Sequence, residues 1–173
     1  FNRKIVDGNS VRLFMIKNPK VLRISNLPNS IIELPNHPTN DMGTRRVEVG
    51  DSVFLSSDDV EGVGIGDQLR LMGLGNVKIT SADSEMTGEF TDNNQDVDFR
   101  KLQWISQKTN HKLKILIPQQ LFIDDEFNEG SLEEVDAYTE PHYLELKDGT
   151  EIQFVRFGYC RKDSANQAIY THK

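Results

Sequence analysis

Residues Glu151–Asp163 read Glu-Ile-Gln-Phe-Val-Arg-Phe-Gly-Tyr-Cys-Arg-Lys-Asp. The run has strand chemistry. Ile152, Phe154 and Val155 supply the apolar side, while Gln153 and Arg156 offer polar heads close by. Gly158 interrupts the pattern, and a glycine inside a strand marks a bulge or a close backbone approach. Two readings stand at this point. The stretch is an edge strand with solvated polar residues, or it is a surface on which Gln153 and Arg156 read a planar polar ligand.

Working outward, the turn Lys147-Asp148-Gly149 predicts a hairpin between Tyr143–Leu146 and Ile152 onward. Lys112–Ile117 alternates Leu113, Ile115 and Ile117 against Lys112, Lys114 and Leu116, a strong strand pattern. Val11–Ile16, Lys20–Ser25, Ile31–Leu34, Arg45–Val49, Ser52–Leu55, Gln68–Met72, Asn76–Ser81 and Glu85–Phe90 read as further short strands, and Gly50-Asp51 predicts a hairpin turn. Pro35-Asn36-His37-Pro38 fixes a corner, because neither proline can donate to a ladder. Residues 1–10 read as polar and irregular. Short strands at regular spacing, with no long helix among them, predict an all-β protein. They are too many for one small barrel, so two small β-barrels are expected.

The chain has 173 residues, enough for a real core, and a net charge of −7. That sum hides segregation. Residues 1–25 carry Arg3, Lys4, Arg12, Lys17, Lys20 and Arg23 against Asp7 alone, and 99–122 carry Arg100, Lys101, Lys108, Lys112 and Lys114 without an acid. Acids concentrate in 124–148, which reads as a mobile acidic loop or a cover. Local sign governs a phosphate contact, because salt confines each field to about 8–10 Å.

No apolar run approaches the roughly 20 residues of a membrane span. Cys160 is the single cysteine, which excludes an internal disulfide, fits a reducing cytoplasmic setting and reads as a small buried residue. His37, His111, His142 and His172 are scattered without metal-site spacing, and no pair of carboxylates stands out. Gly62-Val63-Gly64-Ile65-Gly66 lacks the spacing and the following helix of a phosphate loop, and reads as a turn. No catalytic residue and no metal ligand is expected. Phe1 opens the chain in place of a methionine, so a fragment of a longer protein is expected.

Several stretches in order carry a resemblance. They are Asn2-Arg3-Lys4-Ile5-Val6-Asp7, Arg12-Leu13-Phe14-Met15-Ile16-Lys17-Asn18-Pro19, Leu34-Pro35-Asn36-His37-Pro38 and Met42-Gly43-Thr44-Arg45. Further on come Gly66-Asp67-Gln68-Leu69-Arg70-Leu71, Gln103-Trp104-Ile105-Ser106 and Gln153-Phe154-Val155-Arg156-Phe157-Gly158-Tyr159. Together they resemble the C-terminal anticodon-binding region of the class I glutamyl- and glutaminyl-tRNA synthetase group. The Asn-Arg-Lys entry and Asn76-Val77 look most like its archaeal-type glutamyl members.

The resemblance implies two small barrels of a type shared with a 5S-rRNA-binding ribosomal protein. The expected division is about 1–35 plus 115–173 for a proximal barrel and 36–114 for a distal one. It implies a pocket for the middle anticodon uridine at Arg12, Gln153 and Arg156. The Pro38-Thr39 turn is an expected stacking or backbone surface, and Arg45, Arg70 and Lys101 complete the expected RNA contacts. Trp104 is expected in the core. Where glutamine-type relatives carry an arginine for the first anticodon base stands Met72, and Val60–Gly66 has no Lys or Arg for the third. A glutamate-type reader therefore fits better than a glutaminyl enzyme. The implied partners are glutamate tRNA, with glutamine tRNA left open, and an N-terminal catalytic domain. ATP and Mg2+ belong to that domain, and the fragment itself needs no cofactor. An rRNA-binding protein and a protein-interaction module built on 124–148 are the alternatives.

Overall fold

The computed structural model describes residues 2–173. Phe1 and the side chains of Asn2 and Arg3, the latter counted in the basic entry segment, lie outside the described residues.

Two seven-stranded sheets make up most of the molecule. In the first, the spatial order is Val11–Leu13, Glu151–Phe154, Gly158–Ser164, Gln167–His172, His111–Pro118, Leu132–Thr139 and Met15–Ile16. Its two edge strands are pieces of one segment, interrupted at Phe14. Val11–Leu13 pairs parallel with Glu151–Phe154, and Met15–Ile16 pairs antiparallel with Thr139 and Tyr138. The sheet therefore curls until both edges land on residues 11–16, which leaves no long open edge.

The second sheet repeats the device. Its order is Arg100–Leu102, Gln68–Leu71, Gly75–Ala82, Met86–Asp92, Pro19–Ser25, Ser52–Ser56 and Ile105–Ser106. Here the split segment is 100–106, interrupted at Gln103 and Trp104. The all-β reading with two barrel-like sheets holds.

The two interruptions pack against each other. The Phe14 and Trp104 rings lie 6.1 Å apart, and the Met15 amide donates to Gln103 Oε1 at 3.2 Å. Backbone groups freed by the breaks find side chains: the Phe14 amide donates to Glu140 Oε2 at 2.7 Å, and Thr139 Oγ1 donates to the Phe14 carbonyl. Trp104 is 1% exposed, and its indole donates to the Met72 carbonyl. It is a core residue, as expected. Cys160 is fully buried in the first barrel, and that burial pushes its thiol up to about 12.

Several sequence-based expectations change. Pro19–Ser25 pairs with Ser52–Ser56 and Met86–Asp92, so it belongs to the second sheet rather than to the barrel of residues 1–35. His111–Lys114 conversely lies in the first sheet, not the second. Asn18 takes φ 46 just before Pro19, and there the chain turns from one sheet to the other. The expected hairpin across Gly50-Asp51 is absent among the described residues: Thr44–Glu48 pairs with Ile31–Pro35 instead.

Residues 2–9, expected to be irregular, form a helix, and at its end Asn9 Nδ2 and Ser10 Oγ donate to the carbonyls of Ile5 and Val6. Pro141–Glu145 is a 3-10 turn where a strand was expected. Its proline sits at the first helical position, and Lys162 Nζ holds the carbonyls of Tyr143 and Leu146 at 3.0 and 2.6 Å. The acidic run is not simply a loop or cover. Leu132–Thr139 is a strand whose Asp136 stands opposite Lys114, and Lys114 Nζ pairs with Glu134 at 3.1 Å. Part of the expected basic surface is thereby neutralised within the sheet. No helix among the described residues is long and apolar enough to cross a membrane.

Candidate nucleic-acid interface

Alternation along 11–16 assigns the faces. Val11, Leu13 and Met15 enter the core of the first barrel, while Phe14 and Ile16 join the core of the second. Arg12 shares the parity of Phe14 and Ile16, so it points to the side on which the barrels meet. There it lines a cleft of about 310 Å³ with Phe14, Pro38, Arg45, Met72 and Val155.

Glu151–Phe154 is flanked on both sides, by Val11–Leu13 and by Gly158–Ser164, so the edge-strand reading fails. Ile152 and Phe154 are fully buried in the first core. That leaves Gln153 on the opposite face, directly across from Arg12. Tyr159 stands opposite Gln153, and His172 opposite Tyr159. The Tyr159 and His172 rings stack with centroids 4.6 Å apart and planes 12° from parallel. Four adjacent strands thus carry one polar row, Arg12–Gln153–Tyr159–His172. Close approach at Gly158 makes the tight pairing possible: a Cβ there would come 2.6 Å from Tyr170 and 2.9 Å from the His172 carbonyl.

The row is incompletely bonded. Arg12 Nε, Gln153 Oε1 and His172 Nε2 are buried and have no hydrogen-bond partner among the described residues. Arg12 does have one partner outside the row. Its Nη2 meets Asp7 Oδ1 at 3.3 Å, and the Tyr159 hydroxyl donates to the same oxygen at 2.6 Å. The Tyr159 bond first, and then the Arg12 guanidinium, hold the Asp7 carboxyl below the usual carboxylate range.

The remaining expected site residues divide. Arg156 sits at φ 61 in the three-residue turn between Phe154 and Gly158. Its Nη2 donates to the Lys101 carbonyl at 2.6 Å, and its Nη1 lies 3.9 Å from Asp59. It therefore reaches toward the second barrel, while Arg12 and Gln153 stand side by side. Lys101 is exposed. Pro38 and Thr39 are exposed beside the cleft, and the His37 ring fixes their turn by accepting from the amides of Thr39 and Asn40 at Nδ1.

Arg45 and Arg70 are buried and bonded within the protein. The Arg45 side chain is 3% exposed; its Nε and Nη2 donate to Glu140 at 2.5 and 3.0 Å, and its Nη1 to the Pro35 carbonyl. Arg70 is 7% exposed and donates to Asn76, Asn93 and the Asn94 carbonyl. Both are internal staples. Asp7, Glu140 and Tyr159 are the participants that sequence reasoning missed. Parity along 11–16 could have paired Arg12 with the second barrel, but no local signal points to Glu140.

Fold and cleft together define a two-barrel β module in which an incompletely bonded polar row of the first sheet ends, at Arg12, on the cleft between the barrels. Comparison with known proteins makes this specific. Residues 10–98 match a family described as tRNA synthetases class I (E and Q), anti-codon binding domain, and residues 101–163 match a second family of the same description. The chain belongs to this family of anti-codon binding domains. It is 57% identical over 173 residues to the glutamate–tRNA ligase of Nitrosopumilus maritimus, covering all of this chain and 30% of that protein. Identity is 45% over 172 residues to the glutamate–tRNA ligase of Cenarchaeum symbiosum, and 30% over 178 residues to that of Methanococcoides burtonii. In both cases 99% of this chain is covered. The chain spans about 30% of the length of these relatives.

Proposed function

We propose that this chain docks the anticodon loop of a glutamate tRNA and reads its middle uridine with Arg12 and Gln153. The carrying observation is the pair of buried, unpartnered atoms on adjacent strands: Arg12 Nε, which can only donate, and Gln153 Oε1, which can only accept. A uracil edge offers the complement, a carbonyl beside an imino N–H. Base edges of unstacked loop nucleotides are where proteins read RNA sequence. Exposed Pro38 and Thr39 would border the bound loop, and Lys101 would contribute charge to the phosphates. Met72 lines the same cleft without a hydrogen to donate, which favours a glutamate-type reader over a glutamine-type one.

On this reading the whole protein is a cytoplasmic glutamate–tRNA ligase. Its catalytic domain, outside these residues, would hold ATP and Mg2+ and join glutamate to the tRNA. The module would set the distance between anticodon and acceptor end.

The test is titration with a glutamate-tRNA anticodon stem-loop and with a second loop whose middle U is A, at two salt concentrations. Expected is a preference for U, with overall affinity falling as salt rises. Arg12→Ala should remove about 1–3 kcal/mol of that preference, the scale of a base-reading arginine. Arg156→Ala should remove less, because its guanidinium is engaged by Lys101 and Asp59. Equal binding of both loops by the unaltered protein would overturn the reading and favour backbone recognition of another RNA.

A further inference from the structure

Asp7 occupies an unusual position for an acid in a region otherwise rich in Lys and Arg. It belongs to the Asn2–Asn9 helix, yet its carboxylate lies at the polar row of the first barrel. Oxygen Oδ1 accepts from two members of that row, Arg12 Nη2 and the Tyr159 hydroxyl. Its own carbonyl lies 2.9 Å from His37 Nε2. Since His37 Nδ1 accepts from two amides, the ring hydrogen sits on Nε2 and donates to Asp7. Alongside, the Arg12 amide donates to the Asn36 carbonyl at 2.8 Å, and Asn40 Nδ2 donates to the Gly8 carbonyl at 2.8 Å. One short segment thus ties the helix end, the base-facing strand and the Pro35–Pro38 corner together.

Two roles fit a carboxylate on an arginine. It could occupy the guanidinium and be displaced by the ligand, or it could fix one edge of the guanidinium while another edge stays available. The bonding pattern favours the second. Asp7 engages Nη2, whereas Nε is buried and, like Oε1 of Gln153 on the adjacent strand, has no partner among the described residues. A displaced competitor would be expected to satisfy the group that the ligand needs. Tyr159 is clamped by the same oxygen, and its ring, stacked on His172, stands across from Gln153.

We infer that Asp7 is a positioning residue for base recognition: it holds Arg12 and Tyr159 so that the Arg12 Nε–H and Gln153 Oε1 stay set apart for one base edge. The inference rests on the uridine reading above. It assigns specificity, rather than affinity for the RNA backbone, to a residue with no part in phosphate binding. Conformational freedom removed from a long arginine before the ligand arrives is what its bound state does not have to lose.

The experiment compares the unaltered full-length protein with Asp7→Ala, Asp7→Asn and Tyr159→Phe, each titrated with the U and A stem-loops. Melting of each variant reports its folding. Expected for Asp7→Ala is a loss of about tenfold in the U-over-A ratio, the scale of one charge-assisted hydrogen bond. Binding of the A loop should hardly change. Asp7→Asn keeps an acceptor oxygen and should restore part of the ratio, and Tyr159→Phe should lower it by a smaller factor. An unchanged ratio in Asp7→Ala, with the unaltered protein still preferring U, would overturn the positioning role and leave the uridine reading intact. A raised affinity for U in Asp7→Ala would overturn it in favour of competition. Equal losses for both loops would reduce Asp7 to a structural residue. Absence of U preference in the unaltered protein would sink both claims.

Discussion

Two arginines line one cleft, and they differ in how completely they are bonded. Arg45 gives Nε and Nη2 to Glu140 and Nη1 to the Pro35 carbonyl, and its guanidinium lies 5.7 Å from the Phe14 ring centre. Glu140 in turn accepts the Phe14 amide. Every guanidinium nitrogen of Arg45 and both oxygens of Glu140 are thereby engaged within the protein. Arg12, in the lining of the same cleft, bonds to Asp7 and keeps a buried Nε without a partner among the described residues. Burying a polar group costs free energy unless it is paired, so a folded protein keeps an unpaired one only where something else compensates. The closed pair is a rivet, linking the Thr44–Glu48 strand of the small hairpin, whose Val47 joins the second core, to the residue that follows the Leu132–Thr139 strand of the first sheet. The open pair is where, on the proposed reading, a ligand would complete the bonding.

Breaking the rivet should have the largest effect. Glu140→Ala leaves a buried guanidinium without its anion and strips the Phe14 amide of its acceptor. Removing one partner of a buried ion pair costs about 3–5 kcal/mol. Urea unfolding should show that loss, while any protein that remains folded should keep its U-over-A ratio. The double change Arg45→Met with Glu140→Leu should recover much of the stability, since the penalty comes from the unpaired charge rather than from the lost attraction. A loss below about 1 kcal/mol for Glu140→Ala would put Arg45 back among exposed charges.

The same comparison expects the reverse from Arg12. Its bond to Asp7 is partly exposed, at 34% and 40% for the two side chains, and solvent screens it. Arg12→Ala should therefore change unfolding stability by no more than about 1 kcal/mol while it lowers base preference. A large stability loss would mean that the supposed recognition arginine is a second rivet.

Sequence periodicity reveals the faces and conceals the pairings. Alternation in Lys112–Ile117 correctly sends Leu113 and Ile115 inward, whereas Val11–Ile16, read as an apolar run, shows its faces only in the structure. The Arg12–Gln153 neighbourhood was legible only through resemblance, because a parallel register between residues more than a hundred positions apart leaves no local trace. The burial of Arg45 was hidden for a related reason. Its partner Glu140 lies 95 positions away, and an arginine in an alternating strand looks solvent-facing unless that carboxylate is known. Gly50-Asp51 signals a turn without saying which strands it joins, and the chain uses it to leave a small hairpin for a barrel. Closure of each barrel on a split segment is likewise invisible locally. Phe14 and Trp104 look like ordinary core residues until both ends of their sheets arrive on either side of them.

The smallest expected effect lies in acid, and it separates the two arginine sites once more. Asp7 is held below the usual carboxylate range by Tyr159 first and by Arg12 next. A carboxyl depressed in the folded state binds its proton more readily when unfolded. Its contribution to stability is therefore fully present above the ordinary aspartate value of about 3.9 and is lost as pH falls through the lower folded value. Between neutrality and about pH 5 the stability difference between the unaltered protein and Asp7→Asn should stay flat, and it should shrink only below about pH 4. Asp92 is depressed as well, by the Asn94 amide first and then by the Asn76 side chain, but it is common to both proteins and cancels in the difference. A difference that instead narrows between pH 7 and 6 would show that the depressed Asp7 carboxyl is not the group that sets it. The helix end, rather than the carboxylate, would then be what holds Arg12 in place.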